Sequence, residues 1–163
     1  MHEFAIPRGQ DKAALYRDVA AALDALTADE RDPVANMANA AALFWQYLPG
    51  LNWAGFYRAQ GDVLVLGPFQ GKAACIRIPF GQGVCGTAAA LREAQCVADV
   101  AAFPGHITCD AASASELVVP VIDGDVLVGV IDLDAPVTGR FDAGDVAGMT
   151  ALAAILAPRI RER

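Results

Sequence analysis

The side chains with the widest chemical range in this sequence are four cysteines, Cys75, Cys85, Cys96 and Cys109. None forms a CxxC pair, and His2 and His106 lie far apart, so the spacing gives a zinc centre no support and no metal is expected. Three readings of the thiols remain: small buried apolar side chains, redox chemistry, or, without support from the spacing, a metal. Cys109 stands beside Asp110 and seven residues before Glu116, acidic company that raises a thiol pKa rather than lowering it. Cys85 is flanked by glycines in Gly83-Val84-Cys85-Gly86, where the backbone can move or be approached closely. His106 either packs its loop or serves as a base.

The acids add a second kind of chemistry. In Val130-Ile131-Asp132-Leu133-Asp134 the aspartates are two apart, so on a strand they share a face. Strict alternation places Val126, Val128 and Val130 on that face and Leu127, Ile131 and Leu133 on the other. Either the strand has reached solvent, or the two carboxyls sit at the rim of a pocket. Two acids held so close resist double ionisation, which leaves one of them a proton donor near neutral pH. Glu116 opens the neighbouring strand, as an ordinary strand end or as a third acid. Trp53 and Tyr57, four apart, share a strand face as core or as the wall of a ligand site.

The elements that position these groups follow from periodicity. Leu15, Val19, Leu23 and Leu26 mark a helix over about 12–28. Asp32-Pro33 opens a second, with Val34, Met37, Ala41, Phe44 and Leu48 along one stripe. Trp53–Tyr57 and Val63–Leu66 read as strands around Gln60-Gly61-Asp62, and Cys75–Ile78 as a third. A glycine turn over 81–86 leads into a short helix, Thr87–Arg92. Glu116–Ile122 and Val126–Asp134 form a last hairpin, in which Pro120 signals an edge or a bulge. A final helix covers about 142–161, its last turn weakened by Pro158. The long aperiodic stretch between Ala98 and Ser115 is of the kind that carries function.

This order gives an α+β domain, an antiparallel sheet of about five or six strands with the N- and C-terminal helices on one face. One domain over 1–163 is expected: a helical part at about 12–48, the sheet and active-site loops at about 51–136, and a closing helix at about 142–161. A 55% hydrophobic fraction with 19% charged residues excludes a disordered chain. A net charge of −7 without a basic run disfavours nucleic acid or an anionic membrane as partner. With neither an export signal at Met1–Pro7 nor an apolar run of membrane-spanning length, the chain reads as cytoplasmic.

The runs Cys75-Ile76-Arg77-Ile78-Pro79 and Gly83-Val84-Cys85-Gly86-Thr87 resemble the signature of the free methionine-(R)-sulfoxide reductases, which are single GAF domains. So do Pro104-Gly105-His106-Ile107, Cys109-Asp110, Ser113, Ser115-Glu116 and Val118-Val119-Pro120. With Trp53–Tyr57 and Gly129–Asp134, the likeness spans about Leu51 to Pro136, and its three cysteines stand at intervals of ten and twenty-four. It implies Cys109 as nucleophile, Cys85 as the thiol that closes a Cys85–Cys109 disulfide, and Cys75 as an auxiliary thiol. It implies Glu116, Asp132 and Asp134 as the acids that hold and protonate the substrate, with Trp53 and Tyr57 around its methyl end. Cys96 stays structural, and Gln82 replaces a residue that is basic in the family's turn. The implied activity is reduction of free L-methionine-(R)-sulfoxide, with no bound cofactor, through a Cys109 sulfenic acid and recycling by thioredoxin. A homodimer is also implied. The alternative reading is a GAF module that senses a small ligand without reacting with it.

Overall fold

The computed structural model describes residues 4–105 and 112–162. Cys109, together with His106 and Asp110, lies outside the described residues.

Side-chain caps set the helix starts. Asp11 accepts from the Ala14 amide at the head of α1 (Lys12–Thr27). Asp32 accepts from Ala35 ahead of α2 (Pro33–Tyr47), with proline in the first turn as expected. Asp142 and Asp145 form a reciprocal capping box at α4 (Ala143–Ile160), which runs through Pro158. α4 is long and apolar enough to cross a membrane, but Met149, Leu152 and Leu156 are wholly buried within the core.

Between the helices run β1 (Trp53–Gln60), β2 (Val63–Gly71), β3 (Arg77–Pro79), α3 (Gly83–Leu91), β4 (Gln95–Val97), β5 (Ser115–Asp123) and β6 (Val126–Ala135). They form one six-stranded sheet in the order β3-β2-β1-β6-β5-β4, and every neighbouring pair is antiparallel. One face carries Phe56, Leu117, Ile131 and Leu133 against Leu23 and Phe44 of the N-terminal helices and Leu152 of α4. The opposite face carries Trp53, Tyr57, Leu64, Val118 and Val130 and is covered by the short α3. The helices therefore sit as expected, except that α3 roofs the second face.

The third strand is Arg77–Pro79 rather than Cys75–Ile78, which leaves Cys75 outside the sheet, and four further local expectations are corrected. β2 runs on to Gly71, because pairing with β1 continues through Phe69, Gln70 and Gly71 opposite Gly55, Ala54 and Trp53. α3 begins at Gly83 rather than Thr87, which draws Cys85 into its first turn. β4, which carries Cys96, was not expected as a strand; three residues are too few to show alternation. Alternation along β6 also breaks: Ile122 pairs with Leu127 and Val121 with Gly129, so Val128 is the extra residue of a bulge. Leu127 consequently joins the α3 face and Val128 the helical face. Pro120 lies beside this bulge and beyond the reach of β4, whose pairing ends at Val118, so the missing N–H costs no ladder bond there.

Candidate active site

Three strands place the site residues in rows. Trp53, Asp134 and Glu116 lie side by side across β1, β6 and β5, and the next row is Gly55, Asp132 and Val118. Cα partners in a sheet are about 5 Å apart, so three acids converge on one small patch of the α3 face. Glycine at 55 is what opens that patch. A Cβ there would stand 2.4 Å from Phe69 Cβ and 2.7 Å from the edge of the Trp53 indole, which occupies the space instead. Trp53 stacks on Phe69 at 5.2 Å between centroids and on Tyr57 at 5.9 Å, while its Nε1–H donates to the Lys72 carbonyl at 3.0 Å. Gly55→Ala should therefore cost about 1–3 kcal/mol of stability by overpacking, readable as a lower urea midpoint.

The roof comes from α3. The Pro79 carbonyl lies so near Gly86 that a Cβ would approach it to 2.4 Å, and this close packing holds the first turn down on the sheet. Cys85, buried in that turn, donates its thiol hydrogen to Glu116 Oε1 at 3.8 Å. The resulting pocket is lined by Trp53, Tyr57, Ile78 and Val84, by Lys72, Gln82 and Ser113, and by Cys85, Glu116, Asp132 and Asp134.

Burial decides the electrostatics. Asp132 is only 6% exposed. Burial first, then the charges of Asp134 and Glu116, push its pKa well above the usual carboxylate range. Burial likewise raises the Cys85 thiol, with Asp132, Glu116 and Asp134 adding to it, which outweighs the lowering that a helix N-terminus gives. Cys85 is thus held as a thiol. Burial raises the Tyr57 hydroxyl too, so it remains protonated.

A second buried carboxylate shows what is unusual here. Asp145 accepts from Tyr16 Oη at 2.9 Å and pairs with Lys12 and Arg140, so its charge is compensated and its role is to clamp α1 to α4. Asp132 Oδ1 meets no hydrogen-bond partner among the described residues. An unmet buried acceptor is costly, and Asp132 differs from Asn36 and Asn52, whose amide oxygens are also unmet, in being a carboxyl that lines the pocket, where a ligand can complete it.

The cysteines divide differently from the expected pairing. Cys85 and Cys96 are free thiols, whereas Cys75 is disulfide-bonded, so its partner lies outside the described residues. In this structure Cys85 is therefore not the disulfide cysteine that the resemblance implied. Cys96 is exposed and directs its thiol to the Phe141 carbonyl at 3.6 Å, away from the pocket.

A GAF domain family model matches residues 27–161. The free methionine-R-sulfoxide reductase of Escherichia coli K12 is 49% identical over 90% of this chain and 88% of its own. The chain belongs to the free methionine-(R)-sulfoxide reductase family. Among solved structures, that of the Neisseria meningitidis reductase in complex with its substrate is 44% identical, with a TM-score of 0.93 over 98% of this chain and 96% of that one. The reduced form of fRMsr of Staphylococcus aureus is 42% identical, with a TM-score of 0.84 over 98% and 99%.

Of the residues expected in a free methionine-(R)-sulfoxide reductase site, Trp53, Tyr57, Cys85, Glu116, Asp132 and Asp134 come together around one pocket. Sequence reasoning passed over Lys72, just beyond the longer β2, and Asn52. Asn52 hands its backbone N–H to the Asp134 carbonyl at 3.0 Å and its Nδ2 to Ser113 Oγ at 3.2 Å, tying the rim of the pocket to β6. Neither residue lies on a periodic stretch, so the available signal was position alone, next to Trp53 and past a strand end.

Proposed function

We propose that this chain reduces free L-methionine-(R)-sulfoxide to methionine at this pocket. The observation that carries the reading is Asp132, a buried carboxyl with an oxygen unmet among the described residues in an aromatic-walled site, where burial pushes its pKa well above the usual carboxylate range. A sulfoxide sulfur becomes electrophilic when its oxygen is protonated or strongly hydrogen-bonded, and Asp132 supplies that proton while Glu116 lines the pocket beside it. Trp53 and Tyr57 take the methyl end. Asp134, half-buried at the rim, accepts from the substrate ammonium, and backbone N–H groups of the surrounding loops hold its carboxylate. A methionine within a peptide lacks that ammonium.

Cys109 attacks the sulfur of the protonated sulfoxide, the oxygen passes to the Cys109 sulfur as the S–O bond and the transient S–S bond break, and methionine leaves with Cys109 oxidised to a sulfenic acid. A second thiol then forms a disulfide with Cys109 and releases water. The protonated state of Cys85 and the disulfide-bonded state of Cys75 favour Cys75 as that thiol. Exchange with a dithiol protein of the thioredoxin kind returns both cysteines to thiols, so no bound cofactor is needed. Such a cycle belongs in the reducing cytoplasm, and the reading retains a homodimer as the expected assembly.

The test follows NADPH loss with thioredoxin and its reductase. Turnover is expected with the free R sulfoxide, and at least about 100-fold less with the S epimer or a blocked peptide sulfoxide, whose polar groups leave the acids unmatched. Absence of turnover with the free R epimer would overturn the proposal.

A further inference from the structure

The acid cluster contains a second capacity that proton donation does not use. The sulfur of Cys85 and one carboxylate oxygen each of Glu116 and Asp132 lie within 4.8 Å of one another, all three side chains being buried. The Cys85 Sγ to Glu116 Oε1 separation is 3.8 Å. In a tetrahedral zinc centre with its usual bond lengths, the sulfur–oxygen edge is about 3.5 Å, so a shift of a few tenths of an ångström brings the pair to coordinating distance. Asp132 Oδ1, in a side chain more than nine-tenths buried and facing the pocket, has no partner to give up among the described residues.

We propose that Cys85, Glu116 and Asp132 bind a thiophilic divalent cation, Zn(II) or Cd(II), as three protein ligands with the fourth position open to the pocket. The ligand set suits this class: thiolate sulfur selects zinc and cadmium over magnesium or calcium, and two carboxylates complete a borderline-soft site. As anions these three ligands would repel one another in so buried a place, and a divalent ion supplies the charge that lets Cys85 and Asp132 release their protons and bind it. The ligands come from α3, β5 and β6 and are scattered in the chain, which is why spacing gave no sign of them. The cation occupies the position of the proton-donating acids, so it blocks sulfoxide reduction; that consequence rests on the function proposed above, while the cation site does not.

The test uses protein with its Cys75 disulfide intact, where the free thiols among the described residues are Cys85 and Cys96. Titration with Cd(II) is expected to produce the ultraviolet charge-transfer band of a cadmium–thiolate bond, saturating at one ion per chain, and Zn(II) is expected to displace it. Cys96→Ser keeps the band and Cys85→Ser loses it. Asp132→Asn leaves the thiol in place and weakens Cd(II) binding by about tenfold or more; it serves equally if Cys85→Ser fails to fold. A parent protein without the band, a band that survives Cys85→Ser, or unchanged affinity in Asp132→Asn overturns the site. Because absorbance is the readout, a failure here is separate from a failure to turn over sulfoxide.

Discussion

Asp132→Asn is expected to lower turnover of free methionine-(R)-sulfoxide by about 10²–10⁴-fold while making the folded protein more stable at pH 7. Both effects follow from one property, a carboxyl whose pKa in the folded state lies well above its ordinary value. Below about pH 4 the group is protonated in folded and unfolded chains alike and contributes no difference. As pH rises from there, the unfolded chain ionises Asp132 and the folded chain does not, so stability is progressively lost until the folded pKa is passed. An amide removes that loss. The melting temperature of the variant should therefore exceed that of the parent by more at pH 7 than at pH 4. The same carboxyl gives the parent's rate a limb that falls as pH rises through its folded pKa, and the variant should lack this limb. Retained activity would remove Asp132 from proton donation; an equal melting difference at both pH values would mean that its charge is carried in the fold.

This pairing of lost activity with gained stability separates Asp132 from Asp145. Asp145→Asn leaves Lys12 and Arg140 facing a neutral group and weakens the return half of the α4 capping box, so it should destabilise at neutral pH. Two acids of similar burial thus respond with opposite signs, because only one has its charge compensated.

Much of this arrangement was legible in the residues. Asp132 and Asp134 are two apart on a strand, which put them on one face whatever the partner strands. The pocket's aromatic side followed from Trp53 and Tyr57 by the same rule. Beyond that, the limits have physical causes. Alternation counts residues from the strand end, so it assigned Val126, Leu127 and Val128 correctly only for an unbulged strand, and the extra residue at Val128 inverted the faces before it. Glycines at 83 and 86 suggested a turn because glycine weakens helices in general. Here Gly86 lies inside one because the Pro79 carbonyl leaves no room for a side chain, a tertiary contact with no local signature. The convergence of Cys85 with Glu116 and Asp132 needed both the six-strand order and the seating of α3.

The cysteines give the second large effect. Cys109→Ser is expected to release no methionine even in a single turnover, since the proposed mechanism forms the sulfenic acid on its sulfur. Cys75→Ser should release one equivalent and then stop, leaving Cys109 one oxygen heavier by intact mass or trapped by a sulfenic-acid reagent. Cys85→Ser should continue to turn over repeatedly with thioredoxin, more slowly because the side chain beside Glu116 and Asp132 has changed. The difference between the last two variants lies in the number of turnovers, which a loss of folding or of substrate affinity does not mimic. The expectation rests on Cys85 being a thiol whose pKa is raised first by burial and then by the surrounding acids, since a protonated thiol attacks a sulfenic sulfur poorly. Cys75 already stands in a disulfide. The reverse pattern, with Cys85→Ser stopping after one equivalent and Cys75→Ser cycling, would restore the Cys85–Cys109 pairing and require Cys85 to ionise during the reaction, once methionine and the donated proton have left the pocket.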